Sequence, residues 1–282
     1  MKKFREGFMQ VLFTLSALVS IIAVALICIF LFANGIPAIR EIGLVDFLTG
    51  TSWKPEQNIY GILPMIIGSV YVTAGAAHRC ADRHLTALFL VHFCPAGLYR
   101  FLKPAVDLLA GIPSIVYGFF GLTVIVPAIR NGLGGSGSSM LAASVVLGIM
   151  ILPTIINVSE SAIRAVPESY YEGSLALGAS HERSVFFTVL PAAKSGVFAA
   201  VILGMGRAVG ETMAVIMVAG NQTAMPGGPL QGLRTLTANI VLEMAYAADL
   251  HRGALIATAV VLFVFILIIN LSFSLLKRRA KL

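Results

Sequence analysis

Long apolar runs alternate with short polar stretches along this chain, and the runs have the length of a bilayer. Six can be read, at residues 11–32, 62–93 (interrupted), 104–129, 140–158, 196–220 and 254–276. About 20 consecutive apolar residues cross the hydrocarbon core as a helix. A soluble domain would show a polar face at period 2 or 3.6, and these runs show none. A closed barrel would need alternating segments of about ten residues, which are absent. The pattern predicts an all-α, polytopic membrane protein, with residues 1–282 forming one transmembrane domain.

The connectors carry less apolar content. Residues 34–60 hold Trp53 and Tyr60, which suit the aromatic belt at headgroup level. Residues 131–139 are rich in Gly and Ser and read as flexible. Residues 221–252 open on a Pro/Gly turn, then predict an interfacial helix at 233–247 with Leu236, Ile240 and Met244 on one face. On the opposite side the only sizeable insert is 161–193, and no internal repeat is evident.

Charge fixes the expected topology. The chain is 58% hydrophobic and 12% charged, with a net charge of +7. Lys2, Lys3 and Arg5, then Arg100 and Lys103, then Arg164, Arg183 and Lys194, then Lys277, Arg278, Arg279 and Lys281 all fall on one side of a six-span bundle. The other side holds Arg40, Lys54, Arg130, Arg234 and Arg252, offset by Glu41, Asp46, Glu56, Glu243 and Asp249. Excess Lys and Arg mark the cytoplasmic side, so both termini are expected inside. The basic excess is a topology signal and not a nucleic-acid surface. Residues 11–32 are too long for the apolar core of a signal peptide and lack a small-x-small cleavage site, so they read as a retained span. Cys28, Cys80 and Cys94 have no metal or disulfide spacing, and no metal or cofactor is expected.

Within the polar insert, Pro167 and Glu168 suit a helix start, and Gly178 suits its end. A helix is expected at 168–177, bearing Glu172-Gly173-Ser174-Leu175-Ala176-Leu177-Gly178. Gly173, Ser174 and Ala176 leave little bulk, so another protein can approach the backbone, with Tyr170 and Tyr171 as anchors. An ordinary surface helix is the plainer alternative. The spacing of Glu172, Gly173, Ser174 and Gly178, followed by Leu190-Pro191, resembles the EAA loop of ABC importer permeases.

The resemblance extends over nearly the whole chain. Asn34-Gly35-Ile36-Pro37, the segment 47–55 with its Gly50-Thr51-Ser52-Trp53-Lys54-Pro55, and Gly61 to Gly68 match the PstC-type permease subunits of the ABC importers for phosphate. So do Leu109-Ala110-Gly111-Ile112-Pro113-Ser114, Ile151-Leu152-Pro153, and Gly206-Arg207-Ala208-Val209-Gly210-Glu211-Thr212. The resemblance implies a type I permease fold in a bacterial-type plasma (inner) membrane and pairing with a second homologous permease. It also implies two ATP-binding cassette ATPase subunits and an extracytoplasmic protein that delivers inorganic phosphate. No GxxxxGK[ST] occurs in the chain, so ATP hydrolysis is expected on a partner.

Arg207 and Glu211 fall within the fifth run. Ionisable groups at membrane depth are costly and normally face a pathway or a partner. At i, i+4 on a continuous helix they would share a face. A self-neutralising pair is one reading, in the weaker of the two orientations along the helix dipole. A pathway role is favoured, because a guanidinium can hold two phosphate oxygens and a nearby carboxylate would moderate its grip. In the third run Pro113 removes a helix hydrogen bond beside Gly111. Ser114 then either meets an anion at a broken helix or marks a packing kink, and the residues leave both readings open. Lys103 and Asp107 predict a local salt bridge. Asn157 and Glu160 mark the expected cytoplasmic exit of the fourth span.

One stretch breaks the pattern. Between the apolar halves of the second run lies His78-Arg79-Cys80-Ala81-Asp82-Arg83-His84, with five polar groups in seven residues. Related permeases carry an apolar, Pro- and Gly-containing stretch here. One set of codons for the heptad, CAT-CGT-TGC-GCC-GAT-CGG-CAT, read one base later and completed by C or T, encodes Ile-Val-Ala-Pro-Ile-Gly-Ile. A local frameshift is therefore hypothesised, against the rival of a charged break that splits the span. His78, Cys80 and His84 are given no metal role.

Two further function classes stand beside the phosphate reading. One is a permease for another oxyanion, such as sulfate or molybdate. The other is an ion-driven carrier or channel, which would need no ATPase and for which paired broken helices in repeated halves would be the signature.

Overall fold

The computed structural model describes residues 2–78 and 84–279. Helix α1 (Lys2–Ile42) is followed by α2 (Leu44–Thr49) and a hairpin of β1 (Trp53–Lys54) and β2 (Ile59–Tyr60). Next come α3 (Leu63–His78), α4 (His84–Leu88) with a π turn at Phe89–Phe93, and α5 (Ala96–Gly111). Then α6 (Ser114–Phe120) runs through a π turn into α7 (Val126–Leu133), ahead of α8 (Met140–Arg164). The polar insert contains α9 (Glu168–Ala176) and α10 (His181–Ser184), and a π turn at Val185–Val189 leads into α11 (Leu190–Gly210). The chain closes with α12 (Met213–Val218), α13 (Leu236–Glu243) and α14 (Asp249–Arg279).

Among the described residues, five helices are long and apolar enough to cross a membrane: Gly7–Ile42, Ser114–Leu133, Met140–Arg164, His181–Gly210 and Asp249–Ser272. Leu63–His78 is a shorter apolar helix, and residues 79–83 of the charged heptad lie outside the described residues. Several expected boundaries move. The first helix runs through Pro37 to Ile42 instead of ending before Asn34. The third run is two helices, because Ile112 and Pro113 are both extended, with ψ 127 and ψ 143. A proline disfavours helical backbone in the residue before it and supplies no amide, so α5 stops at Gly111. α8 packs at the centre, against α3, α11 and α12. Its Val146, Leu147, Met150, Ile151 and Ile155 are almost fully buried.

The hairpin end corrects two expectations. Trp53 and Tyr60 are not belt residues: they pair across the hairpin, sit 5.5 Å apart edge to face, and are only 5% and 3% exposed. The helix expected at 233–247 is shorter and is buried at Leu236, Ala238 and Asn239 instead of lying flat on an interface. Trp53, Tyr60 and Leu236 share one buried apolar cluster, and beside it lies the carboxylate of Glu243. It accepts from Trp53 Nε1 at 2.8 Å, pairs with Arg234, and lies 2.9 Å from His251 Nε2. Burial pushes this carboxyl up, but the hydrogen bonds from Trp53, Arg234 and His251 outweigh it and hold it below the usual carboxylate range.

A depressed folded value stabilises above the ordinary Glu range and is lost as pH falls through the lowered value. Glu243→Ala leaves Arg234 without its carboxylate and is expected to cost about 3–5 kcal/mol. Trp53 is the only tryptophan, so its emission during denaturant unfolding in detergent reads that loss directly. In the unsubstituted chain the same signal should hold steady at neutral pH and shift only below the ordinary carboxylate range.

Candidate translocation and coupling sites

Two helix breaks lie side by side in the bundle. In the first, Pro113 precedes α6, and Tyr117 Oη donates to the Leu109 carbonyl at 2.7 Å. That bond satisfies one of the carbonyls that α5 leaves open at its end. Ser114, half-buried, is the first residue of α6, where helix amides lack intrahelical partners. In the second, α11 ends at Gly210, Glu211 is extended (φ −71°, ψ 132°), and α12 begins at Met213. Gly118 makes the close approach of α6 and α12 possible: a Cβ there would lie 2.9 Å from Ala214 Cα.

The second break corrects the expected geometry of Arg207 and Glu211. They do not share a helix face, because the helix stops between them. Glu211 Oε1 accepts from the Ala214 amide at 3.1 Å, and its carbonyl accepts from Thr237 Oγ1 at 3.0 Å. A carboxylate at a helix start meets free amides and the positive end of the dipole, which explains why it turns away from Arg207. Arg207 is exposed on the last turn of α11 and makes no salt bridge among the described residues. Its Nη1 lies 3.4 Å from Thr154 Oγ1.

At the polar insert, Pro167 is extended and Glu168 opens α9, as the residues suggest. Leu177 closes it, and Gly178 takes φ +86°, a conformation that disfavours any side chain. Glu172, Gly173 and Gly178 face outward, and a Cβ on Gly173 would meet nothing within 4 Å. Ser174 turns the other way: its hydroxyl accepts from Ser184 at 3.0 Å and Thr188 at 3.3 Å. Leu177, 91% exposed, belongs to the open face and escaped the reading of small residues. The two tyrosines split, with Tyr170 exposed and Tyr171 hydrogen-bonded inward to His181 at 2.7 Å.

A charge network ties α5 to α8 just before the insert. Glu160, 4% exposed, accepts from Tyr99 Oη at 2.7 Å and pairs with Lys103 and Arg164, each at 3.0 Å. Lys103 also reaches Asp107 at 3.2 Å, the local pair expected from the sequence. α8 continues past Asn157 and Glu160 to Arg164, so the expected cytoplasmic exit of the fourth span lies within a continuous helix and not at a helix end. The i, i+4 spacing of Glu160 and Arg164 was the available signal.

A broken-helix bundle with an exposed small-residue helix on its polar insert has the form expected of a transport permease, and likeness to known proteins supplies the class. Residues 96–282 match the family of binding-protein-dependent transport system inner membrane components, to which the chain belongs. The chain is thus a multi-pass permease subunit of the ABC importer class, a transport component and not an enzyme. It is 39% identical to the probable ABC transporter permease protein YqgH of Bacillus subtilis, over 93% of this chain and 88% of that one. It is 32% identical to the phosphate transport system permease protein PstC of Mesorhizobium japonicum, over 90% and 84% of the two chains. PstC of Haemophilus influenzae is 32% identical, over 93% and 91%. Among solved structures, a chain of the inward-facing MetNI methionine ABC transporter superposes with TM-score 0.62 at 20% identity, over 78% of this chain and 95% of that one. That likeness supports the fold alone.

Proposed function

We propose that the chain forms the translocation pathway of an ATP-driven importer of inorganic phosphate, together with a second homologous permease. The observation that carries this reading is Arg207, a cation on a span with no carboxylate among the described residues paired to it, beside two adjacent helix breaks. A lone guanidinium at membrane depth is stabilised by an anion that visits it. Ser114 at the start of α6 and Glu211 at the start of α12 complete the pathway group. The PstC relatives support phosphate as that anion.

Glu172, Gly173, Ser174 and Gly178 belong to the coupling element, with Leu177 as its apolar contact. An ATP-binding cassette ATPase dimer grips its open face, and an extracytoplasmic binding protein delivers phosphate to the hairpin end. The distribution of Lys and Arg supports cytoplasmic termini and a cytoplasmic α9. The whole chain, residues 1–282, acts as one transmembrane domain.

Competition tests the substrate. Uptake of radiolabelled phosphate by cells that depend on this permease should fall when unlabelled phosphate is added and persist in a large excess of sulfate or molybdate. Loss of uptake in sulfate or molybdate would assign the pathway to oxyanions generally. Uptake that survives inactivation of the ATPase would assign it to an ion-driven carrier.

A further inference from the structure

The coupling element has little packing of its own. No residue of α9 is buried. A cavity of about 490 Å³, lined by Val91, His92, Arg164, Glu168, Tyr171 and His181, lies between α9 and the bundle. A push on α9 therefore passes mainly through Tyr171, which packs against the core and whose ring centroid lies 5.9 Å from that of His92. It crosses the cavity through the few groups that bridge it.

His181 adds a second link, from Tyr171 to Phe93. Its Nδ1 is 2.7 Å from Tyr171 Oη. Its ring stands edge-on to Phe93 with centroids 4.9 Å apart, and 6.5 Å from His92. Phe93 ends the π turn that closes the second run. His181 itself opens a segment fixed in the bundle by Ser184 and Val185, both fully buried, and Val189, 3% exposed. One imidazole thus touches the coupling helix on one side and the end of the second run on the other.

We propose that His181 is a positioning residue that transmits movement of α9 to the Phe89–Phe93 end of the second run. The inference rests on the reading of α9 as the ATPase contact. The Tyr171–His181 hydrogen bond sets the angle of α9, and the Phe93 contact carries that angle into the membrane. The seryl contacts of Ser174 hold α9 only to the segment from which His181 projects, so they cannot by themselves move the second run.

The test is the number of ATP molecules hydrolysed per phosphate imported, in proteoliposomes with all partner subunits and whichever form of residues 78–84 transports. Tyr171→Phe and His181→Ala should each raise that ratio roughly fivefold, the scale of one lost hydrogen bond, while the ATPase still co-purifies and detergent melting is unchanged. The double variant should be no worse than either single one, since both remove the same link. His181→Gln, which keeps a hydrogen-bonding group near Tyr171, should restore most of the coupling. Unchanged ratios in both single variants, or effects that simply add, would overturn the proposal. Gly173→Trp separates it from the underlying reading. An ATPase that still binds that variant defeats the coupling-helix assignment itself. If Gly173→Trp releases the ATPase while Tyr171→Phe and His181→Ala stay fully coupled, only the role of His181 is lost.

Discussion

Cells lacking only this permease are expected to recover phosphate uptake with Ile-Val-Ala-Pro-Ile-Gly-Ile at positions 78–84, and to remain at background with the chain as written. Arg79, Asp82 and Arg83 are three full charges in an otherwise apolar run. Each is penalised by about 2.5–3.5 kcal/mol at the centre of an inserting helix. Their sum is on the order of 8 kcal/mol before snorkelling, enough to prevent stable insertion of that run. The apolar heptad removes the whole penalty. Its Pro would bend the helix, which membrane helices tolerate where neighbours satisfy the freed backbone groups. Uptake by both forms would keep phosphate and show that the charged heptad is tolerated. Failure of both, with each form in the membrane, would turn attention to other oxyanions. Sequencing the gene gives an independent check: a shifted frame that yields no apolar heptad would end the frameshift hypothesis.

Much of the membrane architecture could be read from the residues because insertion energy depends mainly on run length and polarity. Residues 140–158 and 254–276 fall inside α8 and α14 for that reason. Helix ends were harder. The third and fifth runs look continuous in hydropathy, yet Pro113 and Gly210 break them, since backbone geometry and not polarity decides there. Pro113 announced its break. Gly210 did not, because glycine is common within membrane helices. The buried hairpin end was the least legible part. Trp53 is 190 residues from Glu243, and although Arg234 and His251 are within nine residues of Glu243, each of the four alone reads as a surface or interface residue. On the insert, the outward face of α9 followed from residue size, but the inward turn of Ser174 and Tyr171 depends on partners ten or more residues later.

Arg207→Ala is expected to lower phosphate uptake by at least about 30-fold, the factor for about 2 kcal/mol lost when one side of a charged hydrogen-bonded pair is removed. Arg207→Lys keeps the charge but not the planar fork, and should retain more uptake than Ala while remaining well below the parent. Glu211 needs two variants, because its carboxylate caps α12 through the Ala214 amide. Glu211→Ala removes the cap as well as the charge, with a stability loss of about 1 kcal/mol. Glu211→Gln preserves an acceptor oxygen for that amide and removes only the charge. If the carboxylate serves to release the anion from Arg207, Glu211→Gln should bind phosphate more tightly and import it more slowly. Opposite movement of apparent affinity and maximal uptake is the signature to look for. Uptake that is unchanged in Glu211→Gln but reduced in Glu211→Ala would confine Glu211 to the start of α12. Arg207 would then be the charge that acts on the anion in this chain, and the moderating group would have to come from the second permease.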